Sequence, residues 1–536
     1  MSFVRKTSGL VREFEVIDGF IYNVMSIGPA MAALTYAMGA AFFPGADINL
    51  GILFAGFWGI FQALAYALLN ASMPRSAGDY VFQSRILHPA LGYMSAWQTM
   101  ICWIIVFLGA FAMYTYNFIV FAPFLGYLGY ILNNSWLSGV GVWLTTTTGE
   151  VAGGAVYILY AGITMILGMR FFAKWQRIFF VIGMIGFVIV CGLFASTNVE
   201  AFRQSFNSYM TQYTPQADAY SYIIDTAKSA GFNAQAPFSL YGTIGIMPIA
   251  WWNLAWASYS SQQLGEIRGA ASLKNQIIMT IGSEVFCVAM MMTTGYLLIH
   301  AVGYDFLGSI GYLFYFASSQ NPLPIPPYYG LFADIISNNL PLVLIIGISF
   351  IAWQWQIAIN CVVGTSRNFF ALSMDNVLPK KFSDVSTKYR TPVFAIVVNM
   401  ILAFIVLVGY VYTNLYTMLF AYIWGYQTCF LLSLIAGLIF PFRKKTKMLY
   451  EASPAAKYKV GGIPLVSIAS LIAIIGTFVM FCYFVAVPTF GFMDPLGLGV
   501  VTVFIVSGFV LFYAFKYYRK GQGIDISLNY SELPPE

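Results

Sequence analysis

The chain has 536 residues, of which 60% are hydrophobic and only 9% are charged. A soluble protein of this length carries far more charge, so the composition places the chain in a bilayer. The formal net charge of +6 then describes loops facing anionic lipid and gives no support to nucleic-acid binding. Cys102, Cys191, Cys287, Cys361, Cys429 and Cys482 all fall within apolar stretches, without paired or metal-ligand spacing, and read as small core residues. With two His and no H-E-x-x-H or Asp-rich segment, the sequence implies no membrane-embedded enzyme, no metal site and no cofactor.

In chain order, apolar stretches run over 16–43, 50–73, 90–121, 151–169, 172–196, 240–262, 276–303, 338–370, 393–412, 414–440, 463–487 and 496–516. Each is about long enough to cross a hydrocarbon layer of roughly 30 Å, which takes about 20 residues of helix. The spacing predicts an all-α integral membrane protein of twelve transmembrane helices in a single domain. The stretches from 338 and 414 exceed the minimum and predict tilt or helix beyond the membrane surface. The first follows Arg5, Lys6 and Arg12 and is too long for a signal-peptide core, so it reads as a retained first helix. With both termini in the cytoplasm, 24 of the 26 Lys and Arg fall in cytoplasmic segments, leaving only Arg203 and Lys228 outside. That asymmetry sets orientation in a cell membrane. The long connections 122–150, 197–239 and 304–337 are then external, and the second is long enough to carry short helices. The polar, Pro-ended segment from Gly521 to Glu536 reads as a disordered tail.

Two helices carry unusual midspan chemistry. In the first, Ser26-Ile27-Gly28-Pro29-Ala30 places a residue without an amide hydrogen after a Gly that it pushes out of helical geometry. In the sixth, Gly242, Gly245 and Pro248 precede Trp251-Trp252-Asn253-Leu254-Ala255-Trp256. A kink satisfied by neighbouring helices is the bland reading of either one. Two breakable helices five apart instead predict an inverted-repeat secondary transporter, with repeat one at about 14–196 and repeat two at about 240–440. Helices eleven and twelve, about 463–516, follow. Unwinding exposes backbone N–H groups at midplane, where the positive end of a half-helix can hold a carboxylate.

The stretch Thr365-Ser366-Arg367-Asn368-Phe369-Phe370-Ala371-Leu372-Ser373-Met374-Asp375-Asn376-Val377-Leu378-Pro379, with Tyr389-Arg390-Thr391-Pro392 after it, resembles the helix-eight end of the amino acid–polyamine–organocation (APC) transporters. Met73-Pro74-Arg75-Ser76-Ala77-Gly78-Asp79-Tyr80 is similar to that family's segment after helix two, and Glu266-Ile267-Arg268-Gly269 to its turn after helix six. The resemblance covers approximately residues 14–440. It implies the leucine-transporter-like fold and a permease that moves amino acids by alternating access, with substrate at the unwound centres of helices one and six. On those positions the substrate-binding residues are Ser26, Ile27, Gly28, Pro29, Ala30, Trp252, Asn253, Leu254, Ala255 and Trp256. Cys102 and Val106 on helix three face the same cavity. Gly28-Pro29-Ala30 departs from the family's smaller G-S-G-type turn, and Trp256 stands at a usual glycine position, where it shrinks the pocket or acts as a lid.

For coupling, the resemblance implies that Asn360 and Cys361 stand where the fold's second sodium site uses hydroxyls, and a thiol is a poor hard-ion ligand. The helix-five Lys of some proton-coupled members has its counterpart near Gly183, and no Lys lies in that span. Glu284 is the deepest ionisable residue within a span and a coupling candidate by that placement, with a hydrogen-bonded structural Glu as the alternative. Asp79 is expected to brace a gate. The reading is of a small-molecule transporter embedded in lipid. Polyamines or other small amines held in a Trp cage remain open alternatives, as does a transport-fold receptor that binds without flux.

Overall fold

With no water in the hydrocarbon layer, a spanning segment must satisfy its backbone polar groups internally, and a helix does so within one segment. The computed structural model describes residues 10–29, 33–413, 419–490 and 493–534, and helix dominates throughout. The first half contains α1 (Val16–Ile27), α2 (Ala33–Phe42), α3 (Ile48–Ser72), α4 (Gly78–Phe82) and α5 (Pro89–Cys102), the last continuing as a π-helix over Trp103–Phe121. Then come α6 (Ala122–Ile131), α7 (Ser135–Leu144), α8 (Thr147–Ile166), α9 (Met169–Ala195), α10 (Val199–Met210) and α11 (Ala219–Ser229). The second half starts with α12 (Leu240–Leu254), which runs into a 3-10 helix over Ala255–Glu266. It proceeds through α13 (Leu273–Met279), α14 (Ile281–Val302), α15 (Tyr304–Phe316), α16 (Tyr329–Ser337), α17 (Leu340–Met374), α18 (Val393–Tyr412) and α19 (Leu419–Ile439). After α20 (Lys447–Glu451), a hairpin of β1 (Lys459–Val460) and β2 (Ile463–Pro464) leads to α21 (Leu465–Ala486) and α22 (Pro495–Gly521).

Among the described residues, nine helices are long and apolar enough to cross a membrane. They coincide with nine of the twelve apolar stretches. The other three are 16–43, which is interrupted between α1 and α2, 240–262, which changes from α to 3-10 at Ala255, and 414–440, whose residues 414–418 lie outside the described ones. The connections expected outside the membrane are themselves helical: α6 and α7, α10 and α11, α15 and α16. Asp218 organises one of these pairs by accepting from Ser221 N (3.3 Å), from Asn207 Nδ2 (3.0 Å) and from Arg203. The Arg203 hydrogen bond holds the Asp218 carboxyl well below the usual carboxylate range.

The tail departs from its expected disorder. It is described as far as residue 534, and Ile526, Asn529 and Tyr530 are buried. Composition misleads here because two apolar anchors are enough when the backbone around them also finds donors.

On the face where Arg170, Arg177 and Arg390 gather around Glu13, Glu15 and Asp18, α17 is fastened to the end of the 3-10 helix by an ion pair. Arg367 Nε and Nη2 each donate to Glu266 at 2.8 Å, with both side chains at most 1% exposed. Bidentate geometry fixes both direction and distance. Removing one partner strands a buried charge, so Glu266→Gln should destabilise by about 3–5 kcal/mol, more than the double change Glu266→Gln with Arg367→Met. Thermal unfolding of the purified variants checks this; a double variant less stable than Glu266→Gln would overturn it.

Candidate functional site

α1 ends at Gly28, whose φ of 58° and ψ of 63° are left-handed and whose N–H caps Val24 O at 3.0 Å. Glycine takes that conformation without steric penalty, which explains a stop at this position in an otherwise apolar helix. Beyond it, the described α-helix begins again as α2 at Ala33. Facing this interruption is the junction of α12 with the 3-10 helix. The first turn of a 3-10 segment rotates its side chains away from the α-helical face and tightens the backbone.

Between these two interruptions lies a small, partly open cavity. Ser26 and Ile27 from α1, Trp252 and Asn253 from α12, and Trp256 from the 3-10 helix line it, with Asn360 and Cys361 from α17. Seven of the sequence-predicted residues therefore meet in one place. Gly28 and Pro29 are buried beside the interruption without lining the cavity, and Leu254, Ala255 and Cys102 are packed away from it. Ala30 lies outside the described residues, and the side chain of Val106 is not among those described.

The remaining wall was not singled out from sequence: Thr35, Met38, Phe107, Phe111, Ile249, Tyr259 and Ile357. Phe107 and Phe111 occupy the place expected for Cys102 and Val106. Both lie in the π-helical stretch from Trp103, where i→i+5 hydrogen bonding changes the angular step per residue from that of an α-helix. Tyr259 lies on the 3-10 segment, where the same objection holds. Thr35, in the first turn of α2, is polar but carries neither of the helix-weakening marks, Gly or Pro, that single out the residues around it.

Polar groups in the wall are mostly committed. Ser26 Oγ donates to Tyr22 O (2.6 Å) and accepts from Asn360 Nδ2 (2.7 Å), which also reaches Tyr22 O (3.4 Å). Gln356 Nε2 donates to Asn360 Oδ1 at 2.9 Å and so orients that amide. Asn253 Nδ2 donates to Ile27 O at 3.0 Å, tying α12 to the last turn of α1. Thr35 Oγ1 is buried without a hydrogen-bond partner. Among the described residues, no Asp, Glu, Lys or Arg lines the cavity.

Aromatic rings fix its shape. Trp256 donates its indole N–H to Trp252 O at 2.6 Å and packs on Tyr426 (4.9 Å, stacked) and Phe107 (4.8 Å, edge-on). Tyr259 lies between Tyr22 (5.4 Å) and Trp103 (3.8 Å). Toward the basic face the packing turns polar: Asn23 exchanges hydrogen bonds with Ser260 (3.1 and 2.7 Å), and the Arg367–Glu266 pair lies in the same seal. Asp79 accepts from Tyr66 (2.5 Å), Gln262 (2.6 Å) and Ser433 (2.6 Å), bracing α4 against three elements.

Glu284 is elsewhere, between α14 and α3. It is fully buried, neither oxygen has a hydrogen-bond partner, and its carboxyl fills the space that a Cβ on Gly59 would need.

No curated protein matches the chain. The amino acid permease family model matches residues 19–516, which takes in the cavity and every helix from α2 to α21. With that match over most of its length, the chain belongs to the amino acid permease family of the APC superfamily, whose members are membrane transporters of amino acids or related organic solutes.

Proposed function

We propose that this permease carries a neutral amino acid by alternating access across a cell membrane, with twelve spans arranged as a 5+5 inverted repeat and both termini cytoplasmic. The observation that carries the reading is a cavity without charged side chains, set where α1 stops at Gly28 and α12 gives way to a 3-10 helix. The substrate carboxylate lies toward the N-terminal end of α2, where the helix dipole is positive, and Thr35 Oγ1 offers a donor. The side chain of the substrate lies against Phe107, Trp252 and Trp256. An amine held over these rings is the second reading, favoured by the aromatic wall; the lack of an acid in the lining favours the first.

For binding, Gly28→Leu is expected to abolish the rise in melting temperature that a bound amino acid produces. The φ strain alone is worth about 1–2 kcal/mol. Trp256→Ala should change which side chains are accepted. A thermal-shift screen of amino acids and amines, followed by uptake into proteoliposomes, checks both. Unchanged affinity and selectivity in both variants would place the site elsewhere, and saturable binding without flux would indicate a receptor.

Orientation rests on the basic residues. Labelling of sealed cells with a membrane-impermeant reagent should reach Lys228→Cys and spare Lys380→Cys; the reverse pattern would invert the topology.

Coupling follows from two groups. The Asn360 amide donates between α17 and the end of α1, supplying a donor where a cation would otherwise need ligands, so transport should have no strict sodium requirement. Glu284 is the proton carrier: an ionised carboxyl without partners is costly in hydrocarbon, which links its charge to whether α3 and α14 separate. Glu284→Gln should remove pH-driven accumulation and spare exchange. Strong stimulation by a sodium gradient alone, or full pH-driven accumulation by the variant, would contradict this assignment.

A further inference from the structure

The cytoplasmic ends of the first and second repeats, in the alternating-access reading above, are joined by a third element that such a reading does not require. Arg85 lies just after α4 and is 3% exposed. Its guanidinium pairs with Asp375, the residue that ends α17, through Nη1–Oδ2 at 2.8 Å and Nη2–Oδ1 at 3.0 Å. Two of its remaining hydrogen bonds go to the C-terminal segment: Nη2 to Asn529 O and Nε to Glu532 O, both 3.3 Å. The Tyr530 ring covers the guanidinium at 4.9 Å, and its hydroxyl lies 3.0 Å from that of Tyr80, which donates to Asp375 Oδ2 at 2.6 Å.

The segment also grips each side separately. Asn529 Nδ2 donates to Asp375 O at 3.0 Å, and Arg75 Nε donates to Pro534 O at 2.7 Å. At its root, Arg519 donates to Asn376 O (2.9 Å) and Leu378 O (3.2 Å). The attachment adjoins the seal below the cavity. Tyr80 faces the tail, while its neighbour Asp79 accepts from Gln262 on the 3-10 helix, and Gln262 Oε1 accepts from Asn368 on α17.

We propose that residues 525–534 are a clamp on the inner gate, with Tyr530 as the positioning residue that holds α4 and the end of α17 together. A buried guanidinium shared by two moving parts and a strap favours the closed arrangement, because opening strips Arg85 of partners that only the closed face assembles. The strap is one short segment at the end of the chain, so its release would not require unfolding of the membrane helices.

The test uses the full-length chain in sealed vesicles, retaining Cys361 alone among the cysteines, with an impermeant maleimide applied to the face that bears Arg85 and Lys381. Tyr530→Ala, and separately removal of residues 525–536, should raise the Cys361 reaction rate by about tenfold, which corresponds to about 1.4 kcal/mol. Tyr530→Phe keeps the ring over Arg85 and should give a smaller rise. A chain retaining Cys191 alone, near the opposite end of α9, labelled with the same reagent applied to that opposite face, reports general loosening and should react unchanged. Unaltered Cys361 reactivity in both Tyr530→Ala and the deletion overturns the clamp, as does an equal rise at Cys191. Because the readout needs no substrate, a wrong assignment of the transported solute leaves it intact.

Discussion

A helix that stops inside a bilayer exposes carbonyls and amides that hydrocarbon cannot solvate, and the surroundings of Gly28 answer that constraint group by group. The Gly28 N–H turns back to Val24 O, Asn253 takes Ile27 O, and Ser26 with Asn360 takes Tyr22 O. Three different helices therefore depend on one interruption for their alignment. The cavity is the volume left between those tethers. Its described wall is uncharged, and the Asn253 and Asn360 amides in it are hydrogen-bonded to backbone and to neighbouring polar side chains.

The two sides of the cavity are built from different materials. Rings close it laterally, and their edge-on and stacked contacts give shape without directional polar bonds. Toward the basic face, hydrogen-bonded amides and the Arg367–Glu266 pair take over. A charged pair with two parallel hydrogen bonds has one good geometry and many poor ones. Aromatic packing tolerates small displacements, whereas this charged pair tends to be either made or broken.

How far the sequence could be read follows from what its residues signal. Nine spans were legible because twenty apolar residues have one economical arrangement in lipid. Ser26, Trp252 and Trp256 stood out because Pro, Gly and midspan indoles are odd there. Phe107, Phe111 and Tyr259 did not, since π-helical and 3-10 stretches change the angular step and carry no compositional mark. The tail was misjudged for a related reason: its polar residues point to solvent on average, yet Asn529 and Tyr530 act individually. Glu284 was visible as an intramembrane acid, but its lack of partners is a property of packing alone.

The contact between Gly59 and Glu284 has a consequence for how the chain can vary. The carboxyl occupies the volume of the missing side chain, so a larger residue at position 59 would force it to shift. A shorter residue at position 284 would leave an unfilled void against the glycine. A change at either position alters the packing at the other, so the two are expected to change together. Loss of the acid would then be recorded twice, once at each end of the same few ångströms.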